Sequence, residues 1–372
     1  MAILQVNVRP AARDGSHSRS QWREAGSHLV VHFDAPMHRN PYRTPSSSTA
    51  STQTQHSRPP VELQALPRAE ESVASSPGQQ TIFWTLTPDT TVGRALVSAS
   101  QRLSEAGCDN PRLDAQVLLA HVLGQTRSWL FAHHEAKLTA QQAEAYTELV
   151  ARRIAREPVA YLVGSREFYG LDFYVDPRVL IPRPETELLV DLALAQLEHR
   201  SMTRTVVADV GTGSGAIAVT LAVHAPTAQV YGLDISRDAL DVARFNAERL
   251  APGSRLHFLE SDLLEALPEP ADIIVANLPY VSEDEYAHLA PDIREHEPPA
   301  ALVAGKRGLD VIQRFLAQVG EKVKPDGIVL MEIGSKQGEW VQQLAREMTP
   351  PPTYIGLRRD YSGHPRLVTL EF

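Results

Sequence analysis

Two segments of this 372-residue chain carry groups whose types and spacing could do chemistry. Asn277-Leu278-Pro279-Tyr280 follows directly on an apolar, strand-like run, Ala271 to Ala276 (ADIIVA). An Asn amide oxygen and an adjoining main-chain carbonyl can both accept N–H bonds from a planar nitrogen, while a Tyr ring covers its face. That set suits methylation of such a nitrogen, a reaction that needs a methyl donor such as S-adenosylmethionine. The second segment, Asp209-Val210-Gly211-Thr212-Gly213-Ser214-Gly215, offers a place to hold the donor. Glycines directly after a strand let the backbone turn tightly and approach a ligand that a Cβ atom would repel. Taken alone, the turn equally suits a dinucleotide, or a helix packed closely on a strand.

Further carboxylates narrow the choice. Asp234 ends the run QVYGLD, nineteen residues after Gly215, where it can accept both hydroxyls of a ribose. That would serve NAD as well as S-adenosylmethionine. Ser261-Asp262-Leu263 adds a carboxylate and an apolar wall suited to adenine, and Asn277 to Tyr280 occupies the reaction position. A dehydrogenase has no evident use for that tetrapeptide.

Short β-branched runs alternating with helical stretches must position these groups: TVVAD (205–209), QVYGLD (229–234), RLHFLE (255–260), ADIIVAN (271–277) and GIVLMEIG (327–334). Such alternation specifies an α/β fold, a mostly parallel sheet covered by helices on both faces, with ligands outside the carboxyl ends of its strands. Tyr354 to Leu357 and Arg366 to Phe372 have no helix between them and read as an antiparallel hairpin closing the sheet edge. Ahead of the sheet, Val92, Leu96, Ala99 and Leu103 recur at helical spacing. A second helix is expected from Asn110-Pro111 to Gly124. A third starts at Thr139, which forms a capping box with Gln142, and runs to about Arg156. The domains expected are a helical unit over residues 83–164, a β-hairpin linker over 165–181 with the alternation YGLDFYVDPRV from Tyr169 to Val179, and the catalytic sheet over 182–372. The His133-His134-Glu135 cluster reads as a polar connection, because adjacent histidines rarely converge on one metal ion.

Composition excludes several classes. A net charge of -9 argues against a grip on nucleic acid through phosphates, and a single cysteine, Cys108, permits neither an internal disulfide nor a cysteine-built zinc site. No run approaches the ~18 apolar residues of a membrane-spanning helix. A cytoplasmic monomer is expected. Residues 1–82 hold eight Arg, six Asp plus Glu and no Lys, with a polar tract from Thr44 to Ser57. They read as a disordered extension, able to act as an organellar targeting segment or to be dispensable.

With these residues in view, the chain resembles class I S-adenosylmethionine-dependent methyltransferases. More closely, Arg166 to Gly170 (REFYG), Leu180 to Glu187 (LIPRPETE) and Glu297-Pro298 with Ala301-Leu302 resemble the release-factor glutamine methyltransferase family. So do Arg112 to Ala115 (RLDA), Val122-Leu123-Gly124 and Ala160-Tyr161-Leu162 in the leading helices. The resemblance runs from about Thr91 to Phe372. It implies methyl transfer to the side-chain amide nitrogen of the glutamine in the Gly-Gly-Gln motif of class I peptide-chain release factors, which the helical domain would grip. By the same resemblance, Asn277 and the Leu278 carbonyl aim the amide and Tyr280 packs on its plane. Gly211 to Gly215 hold the methionine part of S-adenosylmethionine, Asp234 its ribose, and Asp262 with Leu263 its adenine.

Leu278 stands where the commonest motif has its first proline, and Leu263 where some relatives carry an aromatic residue. Asn-Leu-Pro-Tyr also resembles the motif of ribosomal RNA adenine dimethyltransferases, which lack LIPRPETE and the leading helices. The rivals are therefore an adenine-N6 methyltransferase acting on DNA or RNA, and a degenerate fold kept for binding alone. A chain beginning at Gln80 is expected to keep full activity, because the removed segment shows no apolar pattern able to dock on a core. A large loss of rate or melting temperature on truncation would contradict this.

Overall fold

The computed structural model describes residues 84–200, 204–360 and 362–372, and the expected extension over residues 1–82 lies outside them. All the described residues belong to one unit of the chain, Ala65–Phe372. The leading helices form where their caps predict. Thr91 caps α1 (Val92–Glu105) through a bond from Arg94 N, Pro111 opens α2 (Pro111–Leu123), and Gly124 closes it in the left-handed region. Two short helices unmarked by periodicity follow α2 and its successor: α3 (Arg127–Ala132) and, after α4 (Ala140–Ile154), α5 (Val159–Val163). The capping box of Thr139 and Gln142 is formed. Leu103, Leu118, Leu119, Leu130 and Tyr146 fill the core of this domain.

The hairpin pairs β1 (Ser165–Phe168) with β2 (Leu171–Tyr174). Its turn falls at Tyr169-Gly170, so the REFYG segment supplies the first strand and the turn, and the stretch after Tyr174 is not strand. The reason is local. Tyr169 and Gly170 have φ of 53° and 75°, the paired positive values of a two-residue hairpin turn, and the Glu167 carboxylate accepts from Gly170 N.

Seven strands then form one sheet in the order β5-β4-β3-β6-β7-β9-β8. They are β3 (Val206–Val210), β4 (Gln229–Asp234), β5 (Leu256–Glu260), β6 (Ala271–Ala276), β7 (Val323–Glu332), β8 (Tyr354–Arg359) and β9 (Pro365–Glu371). The first five are parallel, and β9 slots antiparallel between β7 and β8 as the C-terminal hairpin. Successive residues of the central strands feed opposite cores, as the pleat requires. Ile273 and Val275 pack beneath α6 (Glu187–His199) and α7 (Ala216–His224), whereas Ile274 and Ala276 pack beneath α11 (Asp310–Lys322) and α12 (Gly338–Arg346). Between β4 and β5 runs α8 (Arg237–Leu250), and between β6 and α11 lies an insertion that carries α9 (Glu283–Ala287) and α10 (Pro291–Arg294). Among the described residues no helix is long and apolar enough to cross a membrane.

Helical domain and insertion are joined by a buried ion cluster. Arg153 on α4 donates to Asp114 on α2 at 2.8 Å and to Asp292 on α10 at 2.6 Å, and Arg156 pairs with Asp292 at 2.5 Å. Taking Arg153 away would leave the buried Asp114 without its cation, a loss of about 3 kcal/mol or more, although Asp292 keeps Arg156. Arg153→Ala is therefore expected to lower the melting temperature by several degrees in scanning calorimetry, and by much more than removal of the exposed partner in the Arg102–Glu105 pair.

Candidate active site

The strand order reverses between β3 and β6, and the loops leaving these two strands meet there. Gly211, at φ 73°, is the point of closest approach: a Cβ on it would lie 3.2 Å from Leu278 Cδ2 and 3.4 Å from the Asn277 carbonyl oxygen. Any side chain would wedge the two loops apart. Gly213 and Gly215 also have positive φ, and Gly213 N donates to Asp234 Oδ2 at 2.9 Å. Ser236 N holds the other oxygen, Oδ1, at 2.9 Å. With the Ile235 N–H also directed at it, the carboxylate still keeps acceptor capacity for a ligand hydroxyl.

Outside the carboxyl ends of β3 to β6 lies a cavity of about 440 Å³. Gly211, Gly213, Asp234, Asp262, Leu263, Asn277, Leu278 and Pro279 all line it. Thr212, Ser214 and Gly215 do not. Thr212 turns inward to donate to Asp209 Oδ2 at 2.7 Å, the Ser214 carbonyl accepts from Asn246 at 2.9 Å, and Gly215 packs on Ala243. Their part is to shape the turn. Asp262 lines the cavity while paired with Arg314. Leu263 sits at φ 55°, an unfavourable conformation for a branched residue, and the Ser261 hydroxyl braces it by donating to the Leu263 carbonyl and accepting from Ala266 N. Strain of this kind, of order 1–3 kcal/mol, tends to persist where a wall must face a ligand. Sequence reasoning missed other walls: Val179 and Leu180 from the linker, the exposed Ile235 beside Asp234, and Pro298 and Ala301 from the insertion. The signals that could have marked them are the apolar Ile235 directly after a strand-ending carboxylate, and the motifs that hold Leu180, Pro298 and Ala301.

A second hollow, about 50 Å³, shares Leu180, Asn277, Leu278 and Ala301 with the first and is otherwise lined by Arg183, Tyr280, Val281, Leu302 and Glu332. Tyr280 belongs to this hollow, not to the large cavity. Its phenol donates to Glu332 Oε1 at 3.1 Å, and burial keeps it protonated by raising its pKa. Glu332, at the end of β7, is 2% exposed. Its other oxygen, Oε2, accepts from the Thr186 hydroxyl at 2.8 Å, and Thr186 Oγ1 in turn accepts from Asn277 Nδ2 at 3.1 Å. The LIPRPETE segment is thus a set of ties. Ile181 N and Arg183 hold the buried Glu297 of the insertion at 3.1 and 2.6 Å, Thr186 holds Asn277, and Glu187 accepts from Tyr169 N in the hairpin at 3.0 Å. Gly308 backs the loop at Tyr280. At φ 69°, it lies so close beneath the Tyr280 carbonyl that a Cβ would overlap that oxygen, and Gln337 Nε2 clamps the same carbonyl at 2.9 Å.

Sheet order, glycine turn, strand-end carboxylate and Asn-Leu-Pro-Tyr loop together define a class I methyltransferase. Two family models match the chain, the PrmC N-terminal domain over residues 94–164 and a methyltransferase domain over residues 202–323. The release factor glutamine methyltransferase of Koribacter versatilis (strain Ellin345) is 43% identical over 281 residues, 75% of this chain and 97% of that protein. That of Bordetella pertussis is 43% identical over 259 residues, 69% of this chain and 93% of the relative. The chain belongs to the release factor glutamine methyltransferase family. Among solved structures, it is similar to the release factor-specific protein-(glutamine-N5) methyltransferase from Alicyclobacillus acidocaldarius, with 29% identity over 54% of this chain and 98% of that one and a TM-score of 0.33.

The carboxylates below the cavity titrate unusually. Asp209 is wholly buried, its Oδ1 has no hydrogen-bond partner, and desolvation raises its pKa from 3.8 to about 7 despite bonds from Thr212 and Ala218 N. Burial raises Asp234 as well, against the pull of its backbone donors. A raised folded-state pKa means that the folded chain binds the proton more tightly than the unfolded one. This contribution to stability is therefore full below the ordinary carboxylate pKa and is lost as pH rises through about 7. Melting temperature measured from pH 5 to pH 8 should fall from this source. Asp209→Asn should flatten the slope without removing it, because Asp234 acts in the same direction; an unchanged slope would show that Asp209 does not titrate there.

Proposed function

We propose that this protein transfers the methyl group of S-adenosylmethionine to the side-chain amide nitrogen, N5, of the glutamine in the Gly-Gly-Gln motif of class I peptide-chain release factors. The observation that carries the reading is the small hollow between Asn277, Tyr280 and Glu332, sized for a terminal carboxamide and sharing Asn277 and Leu278 in its wall with a cavity sized for a nucleoside. The named activity of the relatives supports the same choice of substrate. Such a substrate belongs to the translating cytoplasm.

The large cavity fits S-adenosylmethionine on three grounds: a backbone cradle at Gly211 and Gly213 that a Cβ would fill, a carboxylate at Asp234 for the ribose, and apolar walls at Leu263 and Ile235 beside Asp262 for the adenine. Thr212, Ser214 and Gly215 keep the cradle in shape. When bound, the cofactor supplies an electrophilic methyl group on a positively charged sulfur.

A carboxamide nitrogen is a poor nucleophile because its lone pair is delocalised into the carbonyl, so positioning must do most of the work. Asn277 Oδ1 and the Leu278 carbonyl accept the two N–H bonds, which aims the nitrogen toward the cofactor cavity and raises its electron density. The Tyr280 ring covers the amide plane. A nitrogen–carbon bond forms as the carbon–sulfur bond breaks, the bonding pair stays on sulfur as a neutral thioether, and the methylated amide releases one proton to water. Pro279 disfavours helical backbone at Leu278, the residue whose carbonyl is the second acceptor. Contacts between the whole factor and the helical domain would help to offset the ~4 kcal/mol or more lost on association.

Asn277→Ala is expected to lower the single-turnover rate by about 100-fold or more, ~3 kcal/mol of barrier, while leaving cofactor affinity within about tenfold. Asp234→Ala should reverse that order and weaken cofactor binding first, as isothermal titration would read. Labelled-methyl transfer should be far greater to an intact release factor than to its Gln→Ala loop variant, the loop peptide, duplex DNA or ribosomal RNA. Transfer to adenine exceeding transfer to the factor would replace this reading with an adenine-N6 activity.

A further inference from the structure

Behind Asn277, the hydrogen-bond relay has a direction. Glu332 receives two hydroxyl donors, Tyr280 on Oε1 at 3.1 Å and Thr186 on Oε2 at 2.8 Å. Two hydroxyl donors, one on each oxygen, match an ionised carboxylate, which accepts at both. Nearby Arg366 offsets that charge, partly countering the burial that raises the Glu332 pKa; Glu185 works the other way. Thr186 has one hydroxyl proton, and it is spent on Glu332. What remains on Thr186 Oγ1 is lone pairs, and only the NH2 end of a carboxamide can donate to them. Asn277 therefore turns Nδ2 toward Thr186 at 3.1 Å, and Oδ1 is the end left for a ligand.

We infer that Thr186 and Glu332 are positioning residues that lock the Asn277 carboxamide with its oxygen toward the acceptor hollow, making the site selective for a neutral carboxamide over a carboxylate. The inference rests on the reading of Asn277 as an acceptor for the substrate amide. A flipped Asn277 would present N–H groups, which welcome a glutamate and repel the NH2 of a glutamine. An Asn alone does not choose between the two faces, because rotating its amide by 180° exchanges them at almost no steric cost. The relay supplies the difference, and it ends on a buried anion that belongs to the sheet.

Substitution at Thr186 separates this role from packing. Valine keeps the volume and loses the hydroxyl, whereas serine keeps the hydroxyl and loses a methyl group. With an intact release factor as substrate, T186V should lower kcat at least about tenfold with cofactor affinity within twofold, and T186S should stay within about threefold of wild type. The reverse order, or equal behaviour of the two variants, would overturn the inference. E332Q has one oxygen for two hydroxyl protons and should lower kcat at least about threefold; an unimpaired E332Q would remove Glu332 from the relay. The orientation is read independently of activity from the side-chain NH2 resonances of asparagine-labelled protein, with the Asn277 signal identified by its loss in N277A. That signal should exchange slowly with solvent in wild type and T186S and fast in T186V. Fast exchange in the wild-type protein would refute the lock whatever the substrate. Slow exchange in a protein that labels no release factor would keep the lock and refute the substrate instead.

Discussion

A carboxylate taken out of water must be given hydrogen bonds, and the catalytic half of this molecule is arranged around two that are. Glu332 and Glu297 are both almost fully buried, one at the end of a central strand and the other in the insertion after β6. The Leu180 to Glu187 segment answers both: Ile181 N and Arg183 meet Glu297, and Thr186 meets Glu332. An unmet buried charge would cost several kcal/mol, so the segment has little freedom to lie elsewhere. Its path between the sheet and the insertion follows from that demand. So does the position of Asn277, which takes what Thr186 has left to offer.

The same logic extends outward to the helical domain. Asp292 sits on the insertion only a few residues from Glu297, and its charge is met by Arg153 on α4 and Arg156 just beyond its end. One stretch of chain therefore carries two acids, one tied to the catalytic core and one to the leading helices. Asn246 makes a neutral counterpart on the other side. It accepts from Tyr174 N at 2.8 Å and donates to the Tyr174 and Ser214 carbonyls at 2.9 Å, which fastens the hairpin to the glycine turn. Side-chain amides and ion pairs, more than apolar contacts, set the register between hairpin, insertion and cofactor cradle, because such bonds tolerate only a few tenths of an ångström of slip.

The strands and leading helices were legible because their signals are local. Short β-branched runs, the apolar spacing after Thr91, the cap at Thr139 and the stop at Gly124 depend on neighbours within one turn or one strand. The cradle glycines, Asp234 and Asn277 were legible for a related reason: each ends or closely follows a strand, and in a parallel sheet strand ends converge on one face. The short helices α3 and α5 left no such mark. With six and five residues, they span too few turns for a period to show, and packing rather than propensity holds them.

The sequence by itself determined that a glycine cradle, a strand-end carboxylate and an Asn-Leu-Pro-Tyr loop would share one edge of a sheet, since adjacency to a strand end is a property of the chain. Only the tertiary structure decided which way each group points. Thr212 and Ser214 are turned into the protein while Gly211 and Gly213 face the cavity, and Asp262 is paired with Arg314, 52 residues away. Thr186 reaches Asn277 across 91 residues and Glu332 across 146. No local pattern encodes a hydrogen bond between segments so far apart. It exists because the sheet brings β6 and β7 side by side and leaves a buried carboxylate at the end of β7 that the Thr186 and Tyr280 hydroxyls meet.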